Sequence, residues 1–149
     1  MRLIILSAFL YMGATLFSQE KVKWSIQALP EPNNLTNIKI RAEIETGWHI
    51  YSIQTPENSG PIPISVVINK NRSLKIKGGF IEKSIAINKF DANFDSDVFI
   101  FEDKFLGELK VKVKKDTELT TVVTYMVCNE VMCLPPIDCK LSIKLHTNE

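Results

Sequence analysis

The sequence has little of what most enzyme and nucleic-acid sites require. Its 149 residues include two histidines and no glycine-rich phosphate loop, which leaves little from which to build a hydrolase triad or a nucleotide site. A formal net charge of +1 gives no long-range attraction to phosphate, so we expect no nucleic-acid partner. Three cysteines are too few for a disulfide-scaffolded miniprotein. A hydrophobic content of 45% excludes a wholly disordered chain, and the length suits one domain.

The one long apolar run lies at the N-terminus. Arg2 supplies a positive start, residues 3–17 are almost wholly apolar, and the small Ser18 precedes polar residues. This order is typical of a secretory signal peptide, and the run is shorter than the roughly 20 residues of a membrane-spanning helix. We therefore predict a signal peptide over 1–18 and a single exported domain over 19–149. Because no later run is long enough to cross a bilayer, we expect no membrane insertion after cleavage.

Apolar and polar residues alternate with a period of two along much of the remaining chain. This pattern is typical of strands with one buried face, and no stretch shows a helical period. The predicted strands lie within residues 22–28, 38–44, 64–68, 109–113, 120–127 and 137–145. Short strands separated by Pro, Gly and Asn turns favour an all-β, immunoglobulin-like antiparallel β-sandwich. An up-and-down barrel is the alternative.

The least regular stretch is 80–105, where phenylalanines lie among Asp and Asn. We predict a long loop over 88–97. Long loops in compact domains are more often functional than idle.

Cys128 and Cys133 are separated by residues 129–132. A hairpin loop of that length places the two cysteines opposite each other, with Cα atoms about 4.5–5.5 Å apart, which disulfide geometry accepts. An exported compartment permits the bond, so we predict a Cys128–Cys133 disulfide. Closing so short a loop stabilises a fold by only roughly 2 kcal/mol, and strained, exposed disulfides are the labile ones. The residues alone leave open whether the bond is an inert staple or a redox site.

The third cysteine, Cys139, alternates with apolar residues on one strand face. We predict a buried, inert thiol; a third thiol for resolving or metal binding is the alternative. Trp24 and Trp48 are assigned to packing.

Two segments resemble a known family. The string Tyr125-x-x-Cys128-x4-Cys133-x-Pro135-Pro136 resembles the active-site hairpin of the N-terminal periplasmic domain of the thiol:disulfide interchange protein DsbD. The stretch Gly47-Trp-His-Ile-Tyr-Ser52, followed by Gly60-Pro61, is similar to an aromatic segment of that domain. The likeness covers nearly all of the chain after the predicted signal peptide.

The resemblance implies an immunoglobulin-like fold and a reversible disulfide in the periplasm, with Cys128 and Cys133 as the catalytic pair. Its implied partners are a membrane thiol reductase or thioredoxin-like domain as electron donor, and periplasmic client proteins that contain disulfides. We expect Cys133 to be the client-facing thiol and Cys128 the resolving one. No cofactor and no metal ion are expected.

The resemblance also implies a surround for the cysteine pair. A capping loop is expected at 91–95, with Phe94 as the capping ring and Phe90 as the alternative. The other residues of the expected surround are His49, Tyr51, Tyr125 and Pro135.

The best-known members of the family continue into membrane helices and a terminal thioredoxin-like domain, whereas this sequence ends at Glu149. We therefore expect a stand-alone version that receives electrons from a separate protein. The electron source and the direction of electron flow stay open.

Two hypotheses from other classes remain. A copper-binding protein would use soft or borderline ligands, here Met126, Cys128, Met132, Cys133 and His49. A non-catalytic binding module would keep the disulfide as an inert staple and use its loops for recognition.

Overall fold

A computed structural model describes residues 20–69 and 71–147 of the protein, and these contain no helix. The predicted signal peptide and its cleavage site lie outside the described residues. None of the described residues forms a helix that could cross a membrane. The strands are β1 (Val22–Glu31), β2 (Leu35–Ile44), β3 (His49–Tyr51), β4 (Ser65–Ile68), β5 (Leu74–Glu82), β6 (Ile87–Asp91), β7 (Ser96–Glu102), β8 (Lys104–Val113), β9 (Thr117–Tyr125), β10 (Val127–Cys128) and β11 (Ile137–Leu145).

The strands form three antiparallel sheets, in the orders β1-β2-β8-β5, β10-β3-β7-β6 and β11-β9-β4. Buried and exposed residues alternate along β2, β8 and β9, as the period-two pattern predicts. The first and third sheets supply the inner faces of an immunoglobulin-like β-sandwich, which confirms the predicted fold class. The described strands leave the sheets with open edges and do not close into a barrel.

The main core contains apolar side chains from all three sheets. Trp24 packs on Phe105 and Tyr125, with ring centroids 5.8 and 5.2 Å apart, and Trp48 packs against the same core. Cys139 is a free thiol, half-buried rather than fully buried as predicted, because β11 lies at the edge of its sheet. Burial raises the pKa of the Cys139 thiol, which opposes reactivity.

The predicted loop over 88–97 is wrong. Most of that stretch lies in β6 and β7, which pair in register from Ile87↔Ile100 to Asp91↔Ser96, and only 92–95 form the turn. Asn and Asp are poor strand formers in isolation, but pairing with a neighbouring strand overrides that preference. The stretch is therefore a hairpin of two paired strands joined by a short turn.

Candidate functional site

The disulfide predicted between Cys128 and Cys133 is formed, with an S–S distance of 2.00 Å and Cα atoms 4.0 Å apart. Cys128 ends β10, where it pairs with His49 of β3, and its side chain is fully buried. Cys133 is half-exposed. One sulfur is therefore buried, while the other belongs to a residue that solvent reaches.

The hairpin that joins the two cysteines is held by one side chain. The Asn129 Oδ1 accepts hydrogen bonds from the backbone N–H groups of Val131 and Met132, at 2.9 and 2.8 Å. The Asn129 N–H donates to the Met132 carbonyl at 2.9 Å. Asn readily stabilises tight turns in this way, and here it brings the two cysteine residues face to face. Val131 and Met132 are exposed at the tip.

A buried polar network lies beside Cys133. The Tyr51 hydroxyl donates to Asp91 Oδ2 at 2.6 Å, and His49 Nε2 lies 3.1 Å from the Tyr51 oxygen. The Tyr51 oxygen is 4.0 Å from Cys133 Sγ. Because the one hydroxyl hydrogen of Tyr51 goes to Asp91, the Tyr51 oxygen accepts from His49, which requires the Nε2–H tautomer.

The three groups hold distinct protonation states at neutral pH. Burial lowers the pKa of His49, against the opposing attraction of Asp91. Burial, and then the hydrogen bond to Asp91, raise the pKa of Tyr51 far above its usual range. Burial would raise the pKa of Asp91, but hydrogen bonds from Tyr51 and Asn93 outweigh it, so that pKa is lowered. The network therefore consists of a neutral imidazole, a protonated phenol and a carboxylate.

Phe94 covers one side of this network. Phe94 and Cys133 both pack against the small cluster that contains Tyr51 and Cys128, and the Phe94 ring meets the Tyr51 ring edge-on with centroids 6.1 Å apart. Gly60, at φ +100°, lies directly against it: a Cβ there would come within 2.4 Å of Phe94 Cδ1. Only glycine accepts both that backbone conformation and that close approach.

Two contacts tie the β6–β7 hairpin to the disulfide hairpin. Asn93 Nδ2 donates to the Asn129 carbonyl at 3.0 Å, and Lys89 forms an ion pair with Glu130. The Asp91 Oδ1 accepts from the Asn93 N–H at 2.8 Å, which shapes the turn that carries Phe94. These contacts join the turn that carries Phe94 to the disulfide hairpin.

The structure brings His49, Tyr51 and Phe94 to the cysteine pair but not Tyr125, which packs on Trp24 in the main core. Pro135 is exposed just beyond Cys133. Phe90 is 56% exposed and is not part of the cysteine cluster. Tyr125 lies two residues before β10, and the strand alternation from β9 directs it into the larger core.

Sequence reasoning missed the roles of Asp91, Asn93 and Asn129. The signal that could have found Asn93 and Asn129 is their residue type, since Asn and Asp commonly close turns with their own side chains. For Asp91, only its place in the predicted capping loop offered a hint.

The arrangement gives the Cys133 sulfur a polar neighbour: the Tyr51 oxygen lies 4.0 Å from it, and the Tyr51 hydroxyl donates to Asp91. Among residues 20–69 and 71–147, no group of three or more His, Cys, Asp or Glu side chains is arranged to hold a metal ion. Of the five ligands in the copper hypothesis, Cys128 and Cys133 are bonded to each other, so ligation by them requires reduction first.

Comparison with known proteins gives a family match. The family model for "Thiol:disulfide interchange protein DsbD, N-terminal" matches residues 14–144. No curated protein matches the sequence significantly.

Three solved structures are similar in fold. The reduced DsbD N-terminal domain of Neisseria meningitidis is 20% identical with a TM-score of 0.55, over 74% of this chain and 78% of that one. The N-terminal periplasmic domain of ScsB from Proteus mirabilis is 14% identical with a TM-score of 0.64, over 87% of this chain and 48% of that one. The structure of the N. meningitidis complex of the DsbD and PilB N-terminal domains is 16% identical with a TM-score of 0.55, over 85% of this chain and 89% of that one.

Proposed function

This chain belongs to the family of N-terminal domains of the thiol:disulfide interchange protein DsbD, and from that premise we propose that its Cys128–Cys133 disulfide opens and closes in thiol–disulfide exchange. The observation that carries the proposal is the asymmetry of the pair. Cys128 is fully buried and Cys133 half-exposed, so an incoming thiolate reaches the sulfur of Cys133 first.

The exchange has two steps in each direction. In the reduced protein, the Cys133 thiolate attacks one sulfur of a client disulfide, and the second client sulfur leaves as a thiolate. The Cys128 thiolate then attacks Cys133 Sγ, which releases the first client sulfur and re-forms the Cys128–Cys133 bond. The client gains two electrons and becomes a dithiol. A donor dithiol reverses these steps and restores the reduced pair.

The polar network is proposed to handle the thiol proton of Cys133. The nearby Asp91 carboxylate disfavours a free thiolate at Cys133. When a client arrives, the Tyr51 hydroxyl, 4.0 Å from Cys133 Sγ, connects the thiol to Asp91 through one further hydrogen bond. His49 is the positioning residue that holds the Tyr51 oxygen.

Phe94 is proposed to be a cap that limits access to Cys133. Its packing on Tyr51 and the cysteine cluster supports this role, as does the absence of bulk at Gly60. A partner has to displace the ring before sulfur meets sulfur.

The relatives support a proposal for the cellular location and the redox partners. The ScsB domain is described as periplasmic, and a DsbD N-terminal domain forms a complex with the PilB N-terminal domain whose structure is known. We propose a periplasmic location for the domain at 19–149 after removal of 1–18. A membrane reductase or thioredoxin-like protein supplies electrons, and disulfide-containing periplasmic proteins receive them.

Two measurements test the function. Titration of the pair against a dithiol buffer should give a reduction potential well above the roughly −300 mV below which structural disulfides lie. In the native host, the Cys128→Ala variant should trap partners through Cys133, whereas Cys133→Ala should trap far fewer, because Cys128 is buried. A potential below that level, together with empty traps for both variants, would leave the inert binding module as the better account.

A further inference from the structure

The sheet that carries the disulfide has an open edge. Its order is β10-β3-β7-β6, so β6 pairs with β7 alone, and among residues 20–69 and 71–147 no strand covers its outer side. Edge strands with free backbone groups are templates for another chain, and proteins commonly protect them with charges and bulges.

The backbone groups that face outward from β6 can be identified from β7. The Phe99 carbonyl accepts from the Ser52 N–H at 2.8 Å, and the Phe99 N–H donates to Thr55 Oγ1 at 3.1 Å. The backbone of Phe99 therefore points away from β6. Since direction alternates along an antiparallel strand, the backbones of Val98 and Ile100 point toward β6.

Val98 and Ile100 pair with Lys89 and Ile87. The same alternation then turns the N–H and C=O groups of Asn88 and Phe90 to the outer edge. A strand added there would form its backbone hydrogen bonds with these two residues.

The β6 edge has less of this protection than another edge of the molecule, since its one lysine, Lys89, is paired with Glu130. The edge strand β5 carries Lys75 and Lys77 and a register shift between Lys77 and Ile81, features that discourage pairing. Around β6, by contrast, Ile85 is 93%, Ile87 49% and Phe90 56% exposed.

The position of the edge relates it to the disulfide. Asp91, the last residue of β6, bonds the Tyr51 hydroxyl at 2.6 Å, and that oxygen is 4.0 Å from Cys133 Sγ. Residues that face each other across paired strands project from the same side of the sheet. A residue placed opposite Asp91 on an added strand would therefore project from the same face of the sheet as Asp91. β10 forms the opposite edge of this sheet, but the Tyr51 hydroxyl contacts both Asp91 and Cys133, which brings the Cys133 sulfur to this end of β6.

The next residue of the added strand would meet a different surface. Opposite Phe90 it would share a sheet face with the Phe90 ring and with Asp97, the residue paired with Phe90. Asp97 is exposed and forms no ion pair with any described residue. A lysine or arginine matches both neighbours, because it is attracted by a carboxylate and by an aromatic face.

We propose that the outer edge of β6 receives an extended segment of the redox partner as an added strand, with the partner's cysteine opposite Asp91 and an adjacent Lys or Arg opposite Phe90. The inference rests on the proposed function, since it concerns the partner of the same disulfide. In the productive step the partner thiolate bonds to Cys133 Sγ, the Cys128–Cys133 bond breaks, and Cys128 leaves with the electron pair as a thiolate.

The direct test uses amide hydrogen exchange. A short synthetic peptide with an Arg-Cys pair, its cysteine activated as a 2-thiopyridyl disulfide, is joined to Cys133 of the Cys128→Ala variant. This conjugate forms whether or not the native pair is a redox shuttle. We expect the Asn88 and Phe90 amides to exchange at least about tenfold more slowly in the conjugate than in the unconjugated variant. Equal exchange rates in the two forms would overturn the proposal.

Kinetics on the protein with its disulfide intact give the second test. Asn88→Pro removes an outward N–H without removing a bond to β7, and we expect it to slow reduction by an Arg-Cys-containing dithiol peptide about fivefold to tenfold. Asn88→Ala keeps the N–H and should react at the original rate. A peptide with Glu in place of Arg should reduce the original protein more slowly than the Arg peptide does. In the Asp97→Asn variant, the rates for the two peptides should differ less.

Ile76→Pro provides the matched control on β5. Val113 donates its N–H to Asn34, so Lys112 faces β5 and pairs with Lys75, which turns the N–H of Ile76 outward. This variant should react with the peptide at the original rate.

Reduction by dithiothreitol distinguishes failure of the edge proposal from failure of the proposed exchange function. If dithiothreitol opens the pair but Asn88→Pro leaves the peptide rate unchanged, the edge proposal is wrong and the exchange function stands. If no dithiol opens the pair while the conjugate still protects Asn88 and Phe90, the exchange function is wrong and the edge is a peptide site. Concentration-dependent protection of these amides in the free protein would assign the edge to a second copy and overturn the proposal.

Discussion

The main core and the disulfide end of the molecule differ in what they bury. The main core is apolar, with residues such as Ile38, Val111 and Phe105 at 0–2% exposure. The disulfide end buries His49 and Asp91 as well as its cysteine. Buried polar groups cost free energy unless they are hydrogen-bonded, and here each has a partner. The main core therefore stabilises the sandwich, whereas the disulfide end holds the polar groups that could take part in chemistry.

The largest expected effect comes from breaking the main core. Phe105 contacts Trp24 and Phe101 and is 2% exposed, so Phe105→Ala should lower the free energy of unfolding by about 3–5 kcal/mol. Denaturant unfolding measures this loss. In the fraction that remains folded, the reduction potential should stay that of the original protein; a changed potential would show that the two regions are coupled.

Replacing both cysteines of the pair tests the other region. Cys128→Ala together with Cys133→Ala should lower the free energy of unfolding by roughly 2 kcal/mol, the value for so short a closed loop. Thiol exchange should be lost completely. Denaturant unfolding and a thiol-exchange assay measure the two effects. A cost as large as that of Phe105→Ala would mean that the bond is a main stabiliser of the fold.

Two glycines with positive φ offer a matched pair. Alanine at Gly60 (φ +100°) or at Gly47 (φ +85°) should strain the backbone by about 1–2 kcal/mol. Only at Gly60 would the added Cβ clash with a neighbouring side chain, that of Phe94. We expect Gly60→Ala to speed reduction by dithiothreitol, as Phe94→Ala should, because both displace the ring. Gly47→Ala should be destabilised without that change in rate. Similar rates for Gly47→Ala and Gly60→Ala would argue against the cap.

The smallest expected effect is a dependence of stability on pH. The pKa of His49 is lowered in the folded state, so below pH 6.5 the unfolded chain binds a proton that the folded chain does not. Stability should therefore fall as the pH drops from 6.5 through the folded pKa. Unfolding at pH 7 and pH 5 should show a smaller loss for His49→Gln than for the original protein. The lowered pKa of Asp91 acts only in a more acidic window, below pH 4, so it does not obscure the comparison.

Much of the fold could be predicted from local patterns. The alternation in β2, β8 and β11 predicts strands and the buried face of each, because the period of two is a property of the extended backbone. The stretch that became β6 and β7 could not be predicted, since its Asn and Asp residues favour turns and only the neighbouring strands hold them extended. The surround of the cysteines divides in the same way: His49 and Tyr51 lie in a regular strand, whereas the destination of Tyr125 depended on which core its sheet faced.

The alternation in the sequence predicts short strands with one buried face, and the spacing of Cys128 and Cys133 predicts that they face each other across a hairpin. Both follow from interactions between residues that are close in the chain. Contacts between distant strands are responsible for the bond between Asp91 and Tyr51 across 40 positions, for the packing of Phe94 on Gly60, and for the open edge at β6. Each of these depends on which strands become neighbours, and alternation identifies the buried face of a strand without naming the strand beside it.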